Sequence, residues 1–205
     1  MIHPPKKGVI SLFIFVFFLS VILFLSSYSA YNRVYAKSPQ VEIVPEPYYA
    51  HEVWKTSGVK GRILVLFDRH IGAEPLDTLL SNDNYVYLST KKNMVRRVYH
   101  IIPDDSWEEV KKTLTKYPLV SYSKGVFRTF FDDGSFVFIM RLRDITPVKE
   151  KVLLNINGNY WDENSIQKII NMINNKILNS DIITITGNIS ENNLKEISGY
   201  EKIYR

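Results

Sequence analysis

No cysteine occurs among the 205 residues, which removes disulfides, thiolate metal sites and a cysteine nucleophile and leaves packing as the source of stability. Glycine and proline are scarce, at 9 each, so collagen-like and low-complexity disordered architectures are excluded. A glycine-rich phosphate loop and a Gly-x-Ser-x-Gly elbow are also missing, and with them the simplest nucleotide-binding and serine-hydrolase readings. Residues 1–37 contain no acid. They carry Lys6, Lys7, Arg33 and Lys37, while residues 38–205 set 22 basic against 21 acidic side chains. Of the formal net charge of +5, +4 therefore belongs to the N-terminal segment. The remainder offers no electrostatic footprint for a phosphate backbone, and no nucleic-acid partner is expected.

What is present begins with an apolar run. Of the 17 residues from Val9 to Leu25, 15 are apolar, and no charge interrupts Gly8 to Asn32. Roughly 20 helical residues cross a ~30 Å hydrocarbon layer, so Val9 to Tyr28 reads as one transmembrane helix in contact with the lipid bilayer. Tyr28, Tyr31 and Tyr35 then suit the membrane interface. The competing reading is a signal peptide cleaved near Ser27-Tyr28-Ser29 or Val34-Tyr35-Ala36, giving a secreted or periplasmic chain. In both readings the N-terminal positive charge places the following residues outside the cytoplasm. The expected organisation is a cytoplasmic tip and signal anchor over 1–37, an extended stalk over 38–60 marked by Pro39, Pro45 and Pro47, and an extracytoplasmic α/β domain over 61–205.

Within that domain, Arg62–Phe67 (RILVLF) and Arg96–Ile102 read as strands, as does Asn84–Ser89. Pro75 opens a short helix through Leu76, Leu79 and Leu80, and Asp104 caps a helix running to about Lys116. Val120–Tyr122, Val126–Phe131 and Ser135–Arg141 form further strands, the last two joined by Asp132-Asp133-Gly134 as an antiparallel hairpin. Lys151–Ile156 and Asp181–Thr186 bracket a helix whose apolar face is Ile166, Ile169, Ile170, Ile173 and Ile177. A strand, helix and strand in so short a span require a parallel crossover, so the fold class is α/β: a mainly parallel sheet flanked by helices, with one antiparallel hairpin.

Ligands of such sheets sit beyond the carboxyl ends of the strands. Asp68-Arg69-His70 follows the first core strand directly, and Asn155, Asn157 and Asn159 close the later one. Asp68 and His70 suit a divalent metal, though two donors do not make a site; the plainer reading is a turn cap and a loop histidine. His51 falls near the stalk, and His100 lies within an apolar strand as a packed residue. Lys91-Lys92 and Arg96-Arg97 form a basic cluster on a hairpin surface.

Strand-Asp-x-His, the later strand ending Ile-Ile-Pro and the segment VLLNINGNYWD together resemble shortened members of the arginase and deacetylase-like α/β superfold. The nearest pattern is an uncharacterised family with Asp-x-His-x-Asp and Asp-Ile-Asp-x-Asp-Tyr-Phe motifs, matched over roughly residues 60–190. The resemblance implies metal ligands at these positions, and the departures are as informative as the matches. Gly72 replaces the third acid of the first motif, while Asn155, Asn157 and Asn159 replace the three acids of the second. Losing about three carboxylates removes the charge that holds a dication. The expectation is a non-catalytic, membrane-anchored binding domain with no cofactor. One alternative is a divergent Mn- or Zn-dependent hydrolase of C–N bonds recruiting Asp162 and Glu163. Another is a structural subunit with an envelope protein partner, suggested by the aromatic segment from Phe127 to Phe138.

Overall fold

A computed structural model describes residues 17–23, 39–71 and 79–198. The chain divides into two compact units, Met1–Lys37 and Ser38–Arg205. In the first, residues 17–23 are helical, a length of ~10 Å at about 1.5 Å per residue. Among the described residues no helix is long and apolar enough to cross a membrane, which overturns the expected single-pass location. The rest of Val9 to Tyr28 lies outside the described residues.

The second unit is built on one sheet of eight strands: β1 (Gln40–Ile43), β2 (Arg62–Phe67), β3 (Val95–Ile102), β4 (Ser121–Ser123), β5 (Val126–Phe130), β6 (Phe136–Arg141), β7 (Val148–Asn157) and β8 (Leu178–Thr186). Their order is β1-β8-β7-β2-β3-β6-β5-β4. The neighbours from β1 through β6 are parallel, while β6-β5-β4 is an antiparallel meander. The fold is therefore mixed α/β with a mostly parallel sheet. Strands β2 and β7 lie centrally and are apolar on both faces, as a sheet covered on both sides requires.

Helices α1 (Tyr49–Thr56), α2 (Tyr85–Lys91) and α3 (Trp107–Leu114) bury Trp54, Tyr85, Val86 and Trp107 in the core on one face. On the other, α4 (Glu163–Asn174) and α5 (Glu191–Ser198) contribute Ile166, Ile169, Ile170, Ile173 and Ile197. The β7-α4-β8 crossover has the expected form. Asp162 caps α4 by accepting from the Ser165 amide at 2.6 Å. The helix ends before Ile177.

Three expectations are corrected. Residues 38–60 are not a stalk, because β1 pairs along β8 from Gln40 opposite Ile182 to Ile43 opposite Ile185, and α1 follows with Ala50, His51 and Trp54 buried. The prolines mark element boundaries instead: Pro39 and Pro45 flank the strand, and Pro47 precedes the helix. Asn84–Ser89 is not a strand, since Tyr85–Lys91 is α2. Its buried residues Tyr85, Val86, Ser89 and Thr90 recur at helical spacing, so core packing overrides the β-preference of the aromatic and branched residues. Asp104 does not cap a long helix either: residues 104–106 form a 3₁₀ turn, and α3 starts at Trp107. The helix expected from Pro75 falls largely on residues 72–78, outside the described residues, and Leu79 and Leu80 are not helical.

Trp54 is fully buried and touches Tyr85 at a ring separation of 6.2 Å. Trp54→Ala should therefore lower the unfolding free energy by about 3 to 5 kcal/mol, read by denaturant titration of the full chain. No loss would return residues 38–60 to the role of a detached linker.

Candidate functional site

Parallel pairing brings the carboxyl ends of β1, β8, β7 and β2 to one edge of the sheet, and the residues just beyond them surround a pocket of about 250 Å³. Its walls include Pro45, Glu46 and Pro47 after β1, Asp68 and His70 after β2, Asn157, Asn159 and Tyr160 from β7 onward, and Thr186 and Gly187 at the end of β8. Asn82 and Asp83 close the side before α2. Among the described residues three carboxylates line the pocket, and no lysine or arginine does.

Asp68 is 3% exposed. Its Oδ1 accepts from the His70 amide at 3.1 Å, and its Oδ2 accepts from Asn157 Nδ2 at 3.0 Å. Asn157 Oδ1 faces the other way and accepts from the Asn159 amide at 3.3 Å. These two bonds together fix the orientation of the Asn157 amide: nitrogen toward Asp68, oxygen toward the turn. Burial pushes the Asp68 carboxyl above its usual range, opposed by the donors from His70 and Asn157.

Beneath the pocket, His100 Nε2 donates to the Asp68 carbonyl at 2.9 Å, which assigns the proton to Nε2. The ring is fully enclosed, and burial lowers its pKa to about 4. It holds the backbone of Asp68 and does not reach the pocket named above. Asn155 lies deeper than its expected partners. Its Nδ2 donates to the Tyr85 hydroxyl at 2.9 Å, and its Oδ1 accepts from Thr184 Oγ1 at 3.3 Å. This pairing accounts for a buried amide and a buried phenol in the core.

Of the residues singled out in the sequence, Asp68, His70, Asn157 and Asn159 share one pocket, and Asn155 does not reach it. The His70 ring packs edge-on against Tyr160, with centroids 5.8 Å apart. Asn159 Oδ1 accepts from the Asn188 amide at 3.1 Å and lies against Gly187. That glycine has φ +74, and a Cβ there would overlap the Asn159 amide. His51 is a core residue, with Nδ1 2.9 Å from Ser89 Oγ, and burial lowers its pKa. Asp162 and Glu163 are engaged elsewhere: Asp162 caps α4, and Glu163 accepts from Asn193 Nδ2 at 2.7 Å.

Glu46, Asp83 and Thr186 went unnoticed in the sequence. Thr186 is 2% exposed, and among the described residues its Oγ1 has no hydrogen-bond partner. Its signal was its place before Gly187 at the end of DIITIT, equivalent to that of Asp68 after RILVLF. Glu46 was concealed by the reading of its segment as a linker.

The donor set does not fit a divalent metal. The amide nitrogen of Asn157, not its oxygen, meets the Asp68 carboxylate, and the Asn159 oxygen is turned to the Asn188 amide. Among the described residues, no group of three His, Cys, Asp or Glu side chains could hold an ion.

No protein-family model matches the chain, and no curated protein matches it. Among solved structures it is similar to the arginase from Medicago truncatula, at 12% identity and a TM-score of 0.43, over 78% of this chain and 56% of that one. The chain thus spans little more than half of that arginase. At this identity nothing about chemistry passes from that enzyme to this chain.

Asp68 and His100, both buried at this edge of the sheet, respond to pH in opposite senses. His100 titrates lower when folded, at about 4 against 6.5, so its contribution is complete above pH ~6.5 and is lost as pH falls through the folded value, a span of about 3 kcal/mol. Asp68 titrates higher when folded, so its contribution is present in acid and is lost as pH rises through the folded value. Denaturation of the full chain between about pH 7 and pH 4 should show an acid-side fall that His100→Asn reduces, with His51, whose pKa burial also lowers, supplying a further part. An unchanged fall in that variant would assign the loss to other groups.

Proposed function

We propose that the domain acts by binding and carries no metal-dependent hydrolytic chemistry, on a scaffold that resembles a degenerate metallohydrolase. The observation that carries this reading is the hydrogen bond from Asn157 Nδ2 to Asp68 Oδ2 at 3.0 Å. An amide nitrogen cannot coordinate a cation, and in this orientation Asn157 directs its hydrogens, not its oxygen, at the carboxylate a metal would share. Without a Lewis acid, a water in the pocket keeps a pKa close to that of bulk water and is no nucleophile at neutral pH.

The ligand chemistry follows from the walls. Glu46, Asp68 and Asp83 with no facing lysine or arginine favour a positively charged ligand. The volume of about 250 Å³ limits it to a small molecule. The unpartnered Thr186 hydroxyl supplies one further polar contact at the base. The hydrolase alternative is disfavoured because Asp162 and Glu163 are spent on capping and on Asn193.

Two measurements on the full chain test this reading. Elemental analysis after equilibration with Mn²⁺ or Zn²⁺ should find no stoichiometric ion, and an ion retained by the wild type but not by Asp68→Ala would overturn the non-metal reading. Calorimetric titration should show saturable binding of propylammonium and none of propanol, with binding weakened about tenfold in Asp83→Asn. Equal uptake of both probes, or uptake unaffected by Asp83→Asn, would overturn the assignment of a cationic ligand.

A further inference from the structure

Among the described residues, the face of the sheet that carries α4 and α5 is only half covered. These helices pack over β8 and β1, in an apolar cluster that extends across the sheet to Met140 of β6. The outer rows of β3, β6 and β5 have no helix above them among the described residues. Register places Arg97 beside Phe136 and Phe136 beside Phe130 in one row, and Tyr99 beside Phe138 and Phe138 beside Arg128 in the next. Phe136 is 56% exposed and Phe130 48%. Strands β3 and β6 are parallel and interior to the sheet, a position that normally has a covering layer on both faces.

The chemistry of the patch narrows what can cover it. Strands β3, β5 and β6 contain no acidic residue. Both Arg97 and Arg128 lie over the Phe138 ring, each guanidinium 6.0 Å from its centroid, and neither forms an ion pair among the described residues. The patch thus joins exposed aromatic surface to two unpaired positive charges. A second copy of the chain in a two-fold contact would set this arginine-bearing patch against itself, and like charges oppose that pairing. Tyr99 and Phe138 stack on each other, 5.1 Å apart with an interplanar angle of 25°. Each therefore has one face taken by the other, and the guanidiniums lie over Phe138 as well, which leaves less flat ring surface for nucleobases than for aliphatic side chains.

We propose that this face docks an amphipathic helix of a partner protein, with an apolar stripe over Phe130, Phe136 and Phe138 and carboxylates on its flanks for Arg97 and Arg128. The helix completes the layer that the sheet itself lacks.

The test is fluorescence anisotropy of the full chain with a labelled Leu/Glu amphipathic peptide of about 18 residues, or five turns, and with a Leu/Lys twin of the same apolar stripe. The Leu/Glu peptide should bind saturably and the twin should not. Binding should weaken at least about tenfold in Arg97→Glu/Arg128→Glu and in Phe136→Asp. The exposed Arg128→Gln change provides a milder variant that keeps the fold, checked by circular dichroism, and it should weaken binding in the same direction. Equal affinity for the two peptides or no binding of either would overturn the proposal. Tighter binding of oligothymidine would overturn it in favour of single-stranded nucleic acid. A dimer abolished by Phe136→Asp would overturn it in favour of self-association.

Discussion

A carboxylate buried against an amide organises the carboxyl edge of this sheet. Asp68 is removed from water at the end of β2, and an isolated charge there is costly unless hydrogen bonds replace its hydration. Asn157 supplies one from the end of the neighbouring strand β7, and the backbone of His70 supplies another. His100 secures the Asp68 carbonyl from the strand on the other side. Three adjacent parallel strands are thereby tied together at the edge where α/β sheets hold ligands. The same bonds turn an amide nitrogen, where a cation would need an oxygen, toward the carboxylate, so the arrangement that stabilises Asp68 is not one that gathers metal ligands around it.

Distance along the strand explains why similar residues take different roles. Asn155 and Asn157 share one side of β7, but two residues correspond to about 6.6 Å of strand. That separation puts Asn155 beneath the pocket with Tyr85 and Thr184, and Asn157 at its wall with Asp68. The first amide is a packing element of the core, and the second sets the electrostatics of the site. A similar division separates the faces of the sheet: one is sealed by α1, α2 and α3, while the other is sealed over β8 and β1 and left with rings and guanidiniums over β3, β6 and β5.

Much of the architecture was legible locally. RILVLF, the β5-β6 hairpin and the β7-α4-β8 crossover announce themselves through short apolar runs, a turn with glycine, and isoleucines at helical spacing. The rule that ligands lie beyond strand ends led directly to Asp68 and Asn157. Residues 38–60 and 84–89 look different locally from what the fold makes of them, because prolines at boundaries look like prolines in a linker, and because Tyr, Val and Thr favour strands until a core demands a helix. Glu46, Asp83 and Thr186 stayed hidden because segments far apart in sequence contribute them to the pocket, and their own surroundings carry no motif.

By itself the amino-acid sequence determined the α/β class, the central parallel strands and the neutral amides Asn155, Asn157 and Asn159 at a strand end, because these depend on periodicity and residue type over a few neighbours. Only the tertiary structure decided that β1 closes the sheet edge, which amide meets Asp68, and which half of a sheet face goes uncovered. Those outcomes follow from long-range register, where a hydrogen bond spans 89 positions between Asp68 and Asn157, and chain-local preference carries no information over that separation.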